Sequence, residues 1–315
     1  MLRFIIRRLL VILPMVLLVI TIAYALIKLA PGNFYATERG LPEAVERNIR
    51  QKYGLDKSWY VQYGKTMWNI MRGDFGFSRK YQDQTVNEIL WQAAPVSATL
   101  GLTAYLLALT LGLTFGTLAA LRQNSALDYG SMAAAMLGIS LPNFVLGPLL
   151  VLVFALTLFW LPPARWEWWV KIGSGGIPNP RFLLMPAVTL AALYTAYIAR
   201  LTRSGMLEVL RKDYIRTARA KGLSERQVVI RHALRGGILP VVSFTGPALA
   251  FIVAGTVVVE RVFAIPGLGN YFINAALNRD APLLLGITAF VAILVLVFNL
   301  LVDIAYAFID PRIRY

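Results

Sequence analysis

Long apolar runs alternate with short polar segments along the whole chain. The runs fall at 9–29, 95–121, 132–161, 182–201, 239–259 and 283–308. A helix of roughly 20 apolar residues crosses the ~30 Å hydrocarbon layer of a bilayer. Within that layer the backbone has to satisfy its own hydrogen bonds, which selects helices over open strands. No segment carries the alternating pattern of about ten residues that a transmembrane barrel strand requires. The pattern predicts an all-α, polytopic membrane protein with six transmembrane helices. The first run follows Arg3, Arg7 and Arg8, and Ala23-Tyr24-Ala25 imitates a cleavage site. A secretory core spans only about 7–15 residues, whereas this run continues to Leu29, so an uncleaved helix is expected.

Three divisions follow: the N-terminus and first helix (1–30), an insertion (31–94), and a five-helix core (95–315) holding a polar loop at 202–238. The insertion is too long for a plain connection. Val45, Ile49 and Tyr53 follow Pro42 at helical spacing until Gly54. From Lys57 a second stretch places Tyr60, Tyr63, Met67 and Ile70 on one face, the spacing of an amphipathic helix, before Gly73-Asp74-Phe75-Gly76 breaks it. A small extracytoplasmic pair of helices is expected, either a packing cap or a docking face. In the second run, Gly112 and Gly116 have the small-xxx-small spacing of closely packed helices. Pro142 and Pro148 should kink the third, and Pro247 could act similarly in the fifth.

The polar loop has its own pattern. Tyr214, Ile215 and Ala218 form an apolar face while Arg211, Arg216 and Arg219 stay polar. Beyond Gly222, Val228, Val229, Ile230 and Leu234 form a second apolar stripe. The loop therefore reads as helix–glycine–helix. One reading is an interfacial helix held to anionic membrane lipid by its arginines; the other is a docking element for a protein partner.

Charge separates the function classes further. The formal net charge is +15, which in a soluble protein would suggest nucleic acid. With the N-terminus cytoplasmic and an even number of spans, cytoplasmic segments hold sixteen Lys/Arg against five in the short outer loops. That asymmetry is the positive-inside rule. The charge reports topology, with both termini cytoplasmic, and nucleic-acid binding is disfavoured. Hydrophobic residues make up 58% of the chain and charged ones 15%, well below the ~25% charged residues of a soluble domain. There is no cysteine and one histidine, His232, so no thiolate metal site or redox pair is available and no histidine-based metal site is expected. Gly64-Lys65-Thr66 echoes the end of a phosphate-binding loop, but Trp59 stands where its first glycine belongs, and no strand precedes it.

Two further places carry polar residues at the ends of spans. Glu260 and Arg261 close the fifth run, and Pro266-Gly267 turns the chain after it. This is either an exposed ion pair of little energetic worth or part of a functional loop. In the sixth run Asn299, Asp303 and Tyr306 share a face. An ionisable group in a span normally faces the bundle interior or a water-filled cavity, so Asp303 either pairs with a loop arginine or lines a pathway.

Together these residues resemble bacterial ABC importer permeases of the peptide class. The segment from Asp213 and Tyr214 through Ile215, Arg216, Thr217, Ala218, Arg219, Ala220, Lys221, Gly222 and Leu223 is similar to that family's coupling loop. The broader family writes Glu-Ala-Ala, three residues, then Gly. Here Arg216 and Thr217 stand in the first two places, as in the peptide and nickel branch. Leu29-Ala-Pro-Gly32, Gly73-Asp-Phe-Gly-Phe-Ser78, Val262-Phe-Ala-Ile-Pro-Gly-Leu-Gly269 and the ending from Asp303 to Tyr315 extend the resemblance over almost the whole chain.

The resemblance implies the type I ABC importer permease architecture in a bacterial inner membrane. It implies a homologous second permease subunit, two cytoplasmic ATPases holding ATP and Mg, and an extracytoplasmic peptide-binding protein. This chain would itself bind no cofactor or metal. Glu260, Arg261, Pro266 and Gly267 would form an outer gate or binding-protein contact. The cargo would be short peptides, with nickel or another small solute as the alternative within the branch. A standalone secondary transporter fits less well, because no paired acids or inverted repeat of broken helices is visible.

Overall fold

The computed structural model describes residues 2–29, 57–81, 84–173 and 175–309. The first helix expected in the insertion, after Pro42, lies outside the described residues, as does the C-terminal motif beyond residue 309. Among the described residues four helices cross the length test for a membrane unbroken, and two bent pairs bring the number of candidate spans to six.

The unbroken helices are α1 (Leu2–Leu29), α3 (Val86–Leu121), α6 (Pro180–Leu210) and α12 (Ala281–Ile309). The third apolar run does not form one kinked span. It divides into α4 (Ala126–Ser140) and α5 (Asn143–Leu150), the latter continued by a π-helical turn at Val151–Thr157, and the axis turns by 102° between the two parts. The break falls at Leu141-Pro142, because a residue before proline is driven out of the α region; Leu141 is extended at φ −117°. Pro148 sits inside α5 without ending it. The fifth apolar run forms α10 (Leu239–Val262).

The chain forms two compact units. One comprises 1–94 and 270–296, the other 95–269 and 297–315. In the first, α1 meets α2 (Trp59–Met71). Val16, Ile20 and Met67 are buried together, and Thr21 and Tyr63 share a hydrogen bond of 2.7 Å. Met67, Tyr63 and Ile70 take the inward positions expected of them, but Tyr60 is 62% exposed. After α2, the Gly73–Ser78 stretch is fastened by Asp280, which precedes α12. Its buried carboxylate accepts from Ser78 Oγ at 2.5 Å and from the amides of Arg79 and Lys80.

In the second unit α6 is the central helix: 67% of its apolar window is buried, against 22% for α1. Leu190, Ile198, Ala199 and Met206 are wholly or almost wholly enclosed. The hydroxyls of Thr189 and Thr195 bond back to the carbonyls of Met185 and Ala191, which satisfies them where no water is available. The expected close approach at Gly112 and Gly116 is present, and its partner is α6. A Cβ at Gly116 would lie 2.5 Å from the Ala199 carbonyl oxygen. One element departs from the all-helical expectation. A two-stranded antiparallel hairpin, β1 (Trp168–Ile172) and β2 (Gly175–Pro178), joins the π-helical turn to α6.

Candidate functional site

The loop after α6 folds as its pattern predicts. It contains α7 (Asp213–Ala220), an elbow at Gly222, then α8 (Glu225–Gln227), a π-helical segment (Val228–Ala233) and α9 (Leu234–Gly237), which lead into α10. Asp213 occupies the first turn of α7 and Arg219 the last, both favourable to the helix dipole. The helix ends as Gly222 N–H donates to the Arg219 carbonyl at 2.9 Å. Gly222 has φ +76°, the left-handed region that a Cβ disfavours. The second limb then restarts with a capping box, in which Ser224 accepts from the Gln227 amide and the Gln227 side chain accepts from the Ser224 amide.

One face of this loop is anchored. Ile215, Ala218, Val228, Val229 and Ala233 are buried together with Ala120, Met206 and Val209, and Leu223 packs against them. Ile230, expected in the same stripe, is 54% exposed. The limbs meet α6 very closely: a Cβ on Gly205 would stand 2.3 Å from the Gly237 carbonyl oxygen. The other face is polar and open. Asp213, Arg216, Thr217, Arg219, Ala220, Lys221 and Gly222 are all exposed, and Tyr214 is 48% exposed. Arg219 Nε donates to Glu225 Oε1 at 2.7 Å across the elbow, while Arg216 lies 3.5 Å from Asp213. A Cβ at Gly222 would meet nothing within 4 Å. The glycine is demanded by backbone angle, and the space in front of it is free. The arrangement is a rigid, cationic ledge presented on an apolar footing.

The loop after α10 is organised differently. Glu260 is fully buried. Its carboxylate accepts from Ser97 Oγ at 2.6 Å and from the Gly269 amide at 2.7 Å, while Ser97 Oγ accepts from the Leu268 amide at 2.8 Å. A Cβ at Gly267 would lie 2.4 Å from the Glu260 carboxyl carbon. From this buried position Glu260 organises the turn that leads into α11 (Leu268–Leu277). Of the four residues singled out there, Glu260 and Gly267 are buried and Arg261 and Pro266 are exposed.

Asn299 lies against α10, its Oδ1 3.0 Å from where a Cβ on Gly246 would sit. The side chain of Asp303 lies outside the described residues. Gly64, Lys65 and Thr66 fall in the middle of α2, where Thr66 Oγ1 donates to the Gln62 carbonyl; a helix offers no amide nest for phosphate. Among the described residues no group of three or more potential ligands could hold a metal ion.

The sequence reading missed three polar centres: Ser97 as the partner of Glu260, Asp280, and a bidentate pair between Asp128 and Arg203. Only the last left a local trace. Ser125-x-x-Asp128 is a helix-start signature, and Ser125 does cap α4.

Residues 112–315 match the family described as "Binding-protein-dependent transport system inner membrane component", and residues 1–98 match the family model for the N-terminal part of the membrane component of such systems. The chain is 47% identical to the oligopeptide transport system permease protein OppB of Haemophilus influenzae and 46% identical to that of Salmonella typhimurium, each over 100% of both chains. It is 41% identical to the dipeptide transport system permease protein DppB of Bacillus subtilis, over 99% of this chain and 98% of that one. Among solved structures, one of the MetNI methionine ABC transporter in inward-facing conformations superposes with a TM-score of 0.50 at 18% identity. It covers 70% of this chain and 94% of that one, a likeness of fold. This chain therefore belongs to the binding-protein-dependent transport system inner membrane components, with the ABC transporter permease fold.

Proposed function

We propose that this chain forms half of the translocation path of an ATP-driven importer for short peptides. Its other half is a homologous permease subunit. Two cytoplasmic ATPases supply the energy, and an extracytoplasmic binding protein delivers the peptide. The observation that carries the reading is full-length identity of 45–47% to oligopeptide permeases, together with the exposed ledge around Gly222. In this reading both termini and the ledge are cytoplasmic. Asp213–Leu223 docks in a groove of one ATPase, and the apolar footing carries its displacement into α6 and α10. Arginines on the open face set register and association rate more than affinity. ATP and Mg belong to the ATPases; this chain contributes shape and leverage and performs no hydrolysis. Peptide selectivity rests with the binding protein.

The test is to tag the chain, extract it mildly from its native membrane and identify what accompanies it. The reading expects a second permease and ATPase subunits, and ATP-dependent peptide uptake once the assembly and its binding protein are reconstituted. A lone chain or homodimer that takes up solute without ATP would replace it with a secondary transporter. Uptake of nickel in place of peptide would keep the mechanism and change the cargo.

A further inference from the structure

We propose that Asp128 and Arg203 are positioning residues that lock the coupling loop to the bent α4–α5 span, so that movement of the loop is passed to α5. This rests on the ATPase-docking reading of the loop.

Arg203 Nε donates to Asp128 Oδ1 and its Nη2 to Oδ2, both at 2.7 Å. Asp128 is 2% exposed, and it also accepts from the Asn124 amide at 3.0 Å. The fork therefore grips the first turn of α4 rather than a loose surface chain. A single turn of α6 carries it among contacts to two other elements. A Cβ on Gly116 of α3 would stand 2.6 Å from Thr202 Cβ; one on Gly237 of α9 would stand 2.6 Å from Met206 Sδ. Residues 202–206 thus join α3, α4 and the second limb of the coupling loop.

Beyond the fork, α4 runs antiparallel along α6. A Cβ at Gly138 would lie 2.3 Å from the Ala192 carbonyl oxygen. The chain then turns by 102° into α5, and a Cβ at Gly147 of α5 would lie 3.0 Å from Val262 at the far end of α10. Contacts between small residues and backbone let helices slide along each other. A two-bonded guanidinium–carboxylate fork has fixed direction and length, so it sets the register of α4 on α6. Stability alone does not account for it, because a buried ion pair is often no more stabilising than apolar residues of the same volume. Its two members lie 75 residues apart and join α6, against which the second limb of the loop packs, to the span bent by 102°.

The experiment uses the assembled transporter in lipid nanodiscs, carrying D128N, R203Q and the double variant D128N/R203Q. Each single variant leaves a buried group without its partner, and lower thermal stability is expected. The double variant removes both charges and should regain stability. It should nevertheless take up roughly threefold to tenfold less peptide per ATP hydrolysed, and amide exchange should rise in 126–130 and 234–237. A double variant with wild-type uptake per ATP and wild-type exchange overturns the proposal. If it fails to assemble, R203K, which keeps the charge but loses the fork, is judged by the same two readouts. A wild-type assembly that takes up no peptide would refute the function above, and amide exchange alone would then decide this proposal.

Discussion

The ledge around Gly222 and the knot around Glu260 look alike in sequence. Both join spans, and both combine glycines with charged residues. In the structure they are opposites. At the ledge the charges face out, and the Cβ direction of Gly222 points into open space. At the knot the carboxylate is fully buried, and Gly267 and Gly269 leave it room. The difference lies in what surrounds the charge. Arg216 and Arg219 sit opposite Ile215 and Ala218 on one short amphipathic helix, so burying one face exposes the other. Glu260 ends a helix that is apolar almost throughout, and its partners come from α3 and from the start of α11. A glycine-and-charge signature thus marks a partner surface only where the local period also supplies a second, apolar face.

The largest effect that would break this contrast belongs to the knot. Glu260→Ala strands the Ser97 hydroxyl and the Gly269 amide without their acceptor, and a loss on the order of 3 kcal/mol is expected from leaving buried groups unsatisfied. It should be read as lower folded yield and thermal stability in detergent; unchanged stability would make Glu260 a surface-like residue. Gly222→Leu comes next. A left-handed residue with a Cβ costs about 1–2 kcal/mol, and the side chain would enter the docking space, so uptake should be abolished while the chain remains in the membrane. Gly222→Asn sharpens the point. Asparagine tolerates that conformation, so it should retain most uptake if backbone angle governs and little if free space governs.

A smaller effect is expected from R216E combined with R219E, which should reduce ATPase co-purification in a salt-dependent way at unchanged permease yield. Normal ATPase recovery and uptake would assign these arginines to lipid. The smallest belongs to Glu225→Gln. It removes an exposed ion pair worth at most about 1 kcal/mol and should leave thermal stability unchanged within error.

Much of the architecture was legible from hydrophobic period alone. The four unbroken spans, α2, the elbow and both limbs of the loop follow from local sequence. The broken span was not, because Pro142 signals a change of direction but not its size; the 102° turn is set by where α4 and α5 find partners on α6 and α10. The hairpin was hidden by its own brevity, since the five residues of β1, four apolar and one lysine, match no helical or membrane template. Tyr60 and Ile230 obey their helical stripes yet stay exposed, because a stripe wider than its contact leaves its edge uncovered. The internal polar centres were least legible. Ser97 and Glu260 are 163 residues apart, and Ser78 and Asp280 are 202 apart; no local pattern announces such pairs.

The central claim is that the ledge touches an ATPase. The chain has no cysteine, so one introduced thiol reports a single place. Lys221→Cys in the intact transporter, cross-linked with a short bifunctional thiol reagent against an ATPase bearing a single thiol at its permease-facing groove, is the most direct measurement. A cross-link that forms readily and changes in yield with ATP is the predicted result, with none from Arg165→Cys near the hairpin. No cross-link from Lys221→Cys in a transporter that still imports peptide would contradict it.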